Sequence, residues 1–315
     1  MATIPVGATA GASIAQVARR SYRLVADIPV IPLSMLALLA FAALLAPLLA
    51  PHDRLVPVKP TPQQCQAKFG MANCPYVDNV PPFWASGGTL DTPLGTDFLG
   101  RDVLSRLMYG ARISMVVALT GTLFAGAIGT LLGVLAGYLG RWWDQVIMRI
   151  TDAWLTLPSL VFAILLSSVR GPGLWNVVLI LALVFWSRYS RAVRGEVLAL
   201  RERDFVRLAE INGIGKLRII RRHLIPNVMN TVMVLFSLQV GVAVIIEASL
   251  SFLGVGVPPP EPSWGLMMAQ ERDSLMEGKW WLAVLPGICI TMLVLSANML
   301  GDWLRVRLDP QLRNR

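Results

Sequence analysis

The chain has 315 residues, of which 55% are hydrophobic and only 15% charged, and its mean hydropathy is +0.60. Soluble domains rarely have that balance, so the composition excludes an ordinary water-soluble fold and indicates a membrane protein. The formal net charge of +9 is shared with nucleic-acid binders, but here it accompanies long apolar runs, so an asymmetric membrane protein with no nucleic-acid partner is expected.

Residues 1–27 are small, polar and basic, with Arg19, Arg20 and Arg23 just ahead of an apolar run from Ile28 to Ala50. A membrane helix needs about 20 residues, whereas the apolar core of a cleaved signal peptide has only about 7 to 15. Residues 28–50 are therefore read as an uncleaved first transmembrane helix. Residues 51–112 form a polar, proline-rich segment ending in LGTDFLGRDVLSRLMYGAR. Within it Val103, Leu104, Leu107 and Met108 fall on one helical face while Arg101, Ser105 and Tyr109 lie elsewhere, the pattern of a helix lying on the membrane surface.

Further apolar runs at Ile113–Gly137, Ile150–Val169, Trp175–Ser187, Val228–Leu253 and Trp281–Leu304 predict an all-α, polytopic membrane helix bundle with six transmembrane helices. Residues 113–304 form its five-helix core and 305–315 a tail. No repeat or low-complexity tract divides the chain, so one integrated bundle is expected. The second run carries Gly121, Ala125, Gly129, Gly133 and Gly137, and a small residue at every fourth position lets another helix approach closely. Most of the 28 lysines and arginines fall on the side that holds both termini and residues 188–227. Acidic residues divide almost evenly, so the positive-inside rule makes both termini and that loop cytoplasmic and residues 51–112 extracytoplasmic.

The cytoplasmic loop 194–227 contains a basic island, DFVRLAEINGIGKLRIIRRHLIPN, from Asp204 to Asn227. Val197, Leu200, Phe205, Leu208 and Ala209 recur at helical steps, Gly213 and Gly215 interrupt them, and Leu217, Ile220 and Leu224 resume the stripe until Pro226 stops it. Two short helices meeting at a glycine elbow are expected. Their other face carries Arg201, Arg203, Arg207, Lys216, Arg218, Arg221 and Arg222, which suits an acidic or polar soluble partner. Attraction to anionic lipid alone requires charge but no such elbow.

The run Ala209-x-x-x-Gly213, nine residues, then His223-Leu224-Ile225-Pro226-Asn227 resembles the EAA loop of bacterial ABC importer permeases, in the form carried by the dipeptide, oligopeptide and nickel branch. Ala209 matches the last alanine of that motif, Gly213 its glycine and Pro226 its closing proline. Arg207 stands where the family usually has Glu, Leu208 where it has Ala, and Ile225 where Leu precedes the proline. Two further stretches are similar to the same branch: LGTDxLGRDxxSRxxxGxRxS, which runs on to Ser114, and EASLSFLGVGVPPPEPSWG, which begins at Glu247.

The resemblance covers roughly residues 90–310. It implies a type I importer permease in the bacterial cytoplasmic (inner) membrane. Its expected partners are a second homologous permease, two cytoplasmic ATPase subunits that bind ATP and Mg, and an extracytoplasmic substrate-binding protein. It implies that Phe205, Arg207, Leu208, Ala209, Glu210, Gly213, Gly215, His223 and Pro226 convert ATPase closure into alternating access of the bundle. The chain itself would be no enzyme and would hold no cofactor. The surface helix from Val103 would either help to receive the binding protein or serve as a plain anchor. Peptides are the first expectation for the cargo, and nickel complexes and glutathione are carried by similar permeases.

The remaining residues offer little chemistry of their own. Gly213-Ile214-Gly215-Lys216 is superficially like a phosphate-binding loop, but Glu210 and Leu217 occupy the places where that motif needs Gly and Ser or Thr. His52 and His223 fall on opposite sides of the expected membrane, so no paired-histidine zinc site forms. A secondary transporter would need several intramembrane acids, and an enzyme would need clustered catalytic groups. The spans offer essentially Glu247 alone. Its charge costs at least about 2.5 kcal/mol at such depth, so it either lines a translocation path or pairs with a polar group nearby. Cys65 and Cys74 share the external segment, with Gly70 between them, and are expected to form a disulfide. Two free thiols, or two metal ligands, are the alternatives. Cys289, in the sixth span, is too remote to join them.

Overall fold

A computed structural model describes residues 29–71 and 73–308. The basic N-terminal segment 1–27 and the tail beyond residue 308 lie outside the described residues. Among the described residues five helices are long and apolar enough to cross a membrane: α1 (Val30–Leu49), α3 (Val103–Leu139), α6 (Leu174–Arg201), α9 (Ile225–Phe252) and α12 (Trp281–Leu308). The helices α4 (Arg141–Thr156) and α5 (Ser159–Arg170) are long and apolar enough only when taken together, and they meet at 94°. The third expected span, Ile150–Val169, is thus no straight helix. Pro158 has no N–H to donate, and its ring pushes Leu157 to an extended φ of −82° and ψ of 131°.

The small-residue stripe packs α3 on α6. A Cβ added at Gly129 would lie 2.3 Å from the Trp186 carbonyl oxygen and 2.5 Å from Tyr189 Cβ, and one at Gly133 would lie 2.7 Å from the Ser190 carbonyl oxygen. These contacts leave no room for a side chain, so the backbones of α3 and α6 approach as the stripe predicts. Around this pair the main core gathers Val117, Leu181, Phe185, Val244 and Leu293. A second core at the far end joins Val134, Val193, Val197 and Val228 to residues of the basic island.

At the opposite end, residues 51–102 and 253–280 fold into a crown over the bundle. It contains α2 (Pro62–Phe69) and the short helices α10 (Trp264–Gln270) and α11 (Arg272–Met276). The helix expected to lie on the membrane surface from Val103 is instead the first part of α3, continuous with the second span. Asp102 caps it, accepting from the Ser105 N–H at 2.8 Å and the Ser105 hydroxyl at 2.6 Å. Arg106 near its start is buried, because a carboxylate in the preceding loop meets it.

Between α6 and α9 the basic island forms α7 (Asp204–Ile211) and α8 (Lys216–Ile219), then a five-residue π-turn, Ile220–Leu224, that runs directly into α9. Pro226 does not stop this helix. The π-turn spaces the backbone so that the Ile225 N–H reaches back five residues to the Ile220 carbonyl, while Pro226 sits in the first turn of α9, where a missing N–H costs least.

Candidate functional site

The elbow begins with a helix end that only a special backbone can close. The Ile214 N–H donates to the Ala209 carbonyl and the Gly213 N–H to the Glu210 carbonyl, both at 3.0 Å, while Gly213 has a left-handed φ of +73°. This is the Schellman closure that favours glycine. Gly215, by contrast, has an ordinary φ of −60° and simply precedes α8.

Beneath the closure, Val206, Ala209, Ile219 and Leu224 are buried against Val134, Tyr138, Val193 and Val197. The buried stripe therefore differs from the one the apolar spacing suggests. Phe205, Leu208 and Leu217, expected inward, are 40%, 56% and 66% exposed, and Ile211 beside them is 80% exposed. The apolar spacing put Phe205, Leu208 and Ala209 on the inward stripe and left Val206 and Ile219 off it. The helix instead turns the small Ala209 and β-branched Val206 towards α3 and α6, leaving its larger side chains outside.

The outward apolar patch adjoins a basic rim. Lys216, Arg218, Arg221 and Arg222 border an open concavity of about 860 Å³. Arg207 pairs with Glu202 at the start of the elbow, and Glu210 is met by the Tyr138 hydroxyl at the end of α3. The His223 ring stands 6.1 Å from that of Phe205, and the Asn227 side chain donates to the His223 carbonyl at 2.6 Å. The expected coupling residues thus run through α7, the glycine turn, the π-turn and the first turn of α9, with Ala209 alone among them fully inside.

Glu247 is completely buried in α9. Its Oε2 accepts from the Ser114 hydroxyl of α3 and its Oε1 from the Ser251 hydroxyl, each at 2.9 Å. Ser251 Oγ in turn accepts from the Val257 N–H at 3.1 Å. The carboxylate therefore ties α3, α9 and the following loop together.

The crown holds a set of buried charges that sequence reasoning missed. Asp97 Oδ2 accepts from Arg101 Nε at 2.7 Å and lies 3.3 Å from Arg106 Nε. Arg106 Nη2 donates to Gln270 Oε1 at 3.1 Å, and the Phe98 N–H donates to Glu271 Oε1 at 3.1 Å. Burial pushes the Glu271 carboxyl above the usual carboxylate range, against the hydrogen bonds from Ser274 and Phe98. A carboxyl raised in this way favours the folded crown most in acid, and that contribution is lost as pH rises from the unfolded value through the folded one. Further out, Arg54 donates to both oxygens of Glu261, at 3.2 and 3.0 Å. Cys65 and Cys74 are bonded, with Cα atoms 5.6 Å apart. The available signal for this cluster was LGTDFLGRDVLSR, where acids and arginines stand close to an apolar run.

A bent helical bundle with a crown of buried charges at one end and a basic elbow at the other is the architecture of a multi-pass membrane protein. Residues 129–314 match the model of the family described as "Binding-protein-dependent transport system inner membrane component", and the chain belongs to that family. It is 39% identical over 282 residues to the "Di/tripeptide transport system permease protein DppC" of Pseudomonas aeruginosa, covering 90% of this chain and 88% of that one. A putative peptide transport system permease protein of Brucella suis is 40% identical, with 71% and 75% covered. Among solved structures, a chain from an inward-facing MetNI methionine ABC transporter superposes with a TM-score of 0.53 at 14% identity, covering 65% of this chain and 96% of that one. That likeness shows the fold, a type I importer permease bundle.

Proposed function

We propose that this chain is one of two permease subunits of an ATP-driven, binding-protein-dependent importer of di- or oligopeptides. The observation that carries the coupling role is the elbow: Phe205, Leu208, Ile211 and Leu217 stand uncovered beside a basic rim, while the same element is anchored from beneath by a buried core. Apolar side chains grouped on a polar, basic element suit a protein groove better than a lipid surface. In this reading the groove belongs to a cytoplasmic ATPase subunit that binds ATP and Mg. Both termini lie on the elbow's side of the membrane, and the crown faces the substrate-binding protein outside. The relatives named for di- and tripeptide or peptide transport support a peptide cargo. Glu247, enclosed by serines, fastens α9 to α3 in this scheme and does not contact the cargo.

The closure at Gly213 is the point of test. A side chain at a left-handed φ costs about 1 to 2 kcal/mol, and asparagine tolerates it better than most. In the reconstituted importer, Gly213→Leu is expected to insert and accumulate as the parent does while peptide uptake falls about tenfold or more, and Gly213→Asn is expected to keep most activity. Undiminished uptake by Gly213→Leu would refute the coupling role.

A further inference from the structure

On α6, Arg188, Arg191 and Arg194 follow one another at steps of three residues and reach towards the bent pair α4–α5. Arg194 is gripped by both oxygens of Asp144, at 2.6 and 2.7 Å, and Arg191 pairs with Asp152. Arg188 is the next rung, and among the described residues no carboxylate meets it. Its Nη2 donates to the Ser159 hydroxyl at the start of α5 at 2.9 Å, and its Nη1 donates to Gln239 Oε1 of α9 at 3.2 Å. Its guanidinium also lies 5.4 Å from the centre of the Phe185 ring. Two rungs are neutralised, and the third keeps its full charge.

The packing register gives the depth of that charge. Gly129 meets Trp186 and Tyr189, and Gly133 meets Ser190 and Val193, so Arg188 is about level with Gly129. At 1.5 Å per residue this is roughly 10 Å short of the end of the apolar run of α3 at Gly137. A guanidinium at such depth faces protein or a water-filled path rather than acyl chains. The neighbouring Arg191–Asp152 pair supports the same placement, since both side chains are more than half exposed in the single chain and this face is therefore polar. Ser159 and Gln239 orient the guanidinium but do not neutralise it. They also fix its position where the bend after α4, α6 and α9 converge.

We propose that Arg188 is a specificity-determining residue that receives the C-terminal carboxylate of the peptide in transit. The proposal rests on the peptide reading given above. The planar guanidinium presents paired donors that match a carboxylate, and the Gln239 amide nitrogen adds a donor beside it. Neither Asp144 nor Asp152 competes, because each is held by its own arginine.

The test uses the complete importer in proteoliposomes, supplied with its binding protein loaded with trialanine or with trialanine amide, loading of each being verified by titration. The parent is expected to take up the free acid in preference to the amide. Arg188→Gln, which keeps a polar side chain without charge, is expected to lower uptake of the acid about tenfold and to leave the amide within about twofold. Arg188→Lys should retain the parent's preference. Equal losses for both peptides, unchanged uptake of both, or loss of the second permease on co-purification of Arg188→Gln would overturn the proposal, the last result showing that the charge serves a partner carboxylate. Failure of the parent to move either peptide would overturn the peptide reading and this proposal with it.

Discussion

The crown and the elbow both connect membrane helices outside the apolar core, yet they are built on opposite plans. The crown buries its charges: Asp97, Arg101, Arg106 and Glu271 are each no more than 5% exposed, and a disulfide closes its outer loop. The elbow does the reverse. It displays its cations and several large apolar side chains, and it is held from below by small and branched residues. A region that folds its charges inward against one another presents few of them to a partner, whereas one that leaves apolar side chains in water is half of an interface. The difference separates a region folded around its own charges from one that leaves a surface uncovered.

The comparison breaks first at Asp97. Asp97→Asn leaves Arg101 and Arg106 buried side by side without their shared counter-charge, and losing one partner of a buried pair costs about 3 to 5 kcal/mol. The thermal unfolding midpoint in detergent should fall by several degrees, and an unchanged midpoint would mean that the crown does not depend on its buried charges. A smaller and more local effect is expected for the double variant Cys65→Ser, Cys74→Ser. Loop-closure entropy gives about 2 to 3 kcal/mol for so short a ring, so proteolysis should quicken between Thr61 and Pro75, α2 included, while the membrane helices stay protected. In the parent, isolated without reductant, neither cysteine should take up a thiol label. The smallest stability effect belongs to the elbow. Leu208→Glu alters an exposed position and should change stability by less than about 0.5 kcal/mol, yet the ATPase subunits should no longer co-purify. If it destabilised the permease as Asp97→Asn does, the elbow would be part of the finished structure after all.

The bundle itself was legible because apolar length and small-residue spacing are local signals, and the run from Gly121 to Gly137 named its own packing face. The departures arose where the deciding partner is distant or the rule concerns the backbone. Pro158 was visible, but whether a proline kinks or divides a span depends on what the two halves pack against. The burial of Arg106 was not legible, because the carboxylate that neutralises it lies in a loop whose fold the spacing does not encode. At the elbow, apolar spacing located the helices and the glycine hinge. It could not choose which apolar side chains face inward, since Phe205 and Val206 are adjacent and burial of one exposes the other. The π-turn left no readable mark beyond Pro226, which pointed to an end where the helix only widens.

That widening has a mechanical result. Because Ile220–Leu224 passes without interruption into α9, a push delivered to the elbow is delivered to a single rod, fastened near its far end where Glu247 binds Ser114 and Ser251. From Ile220 to Glu247 the rod is roughly 40 Å long at 1.5 Å per residue, so a swing of about 10° about that fastening would carry the elbow end through about 7 Å. The fastened end lies beneath the crown, so a rotation about it would displace the elbow more than any other part of the rod.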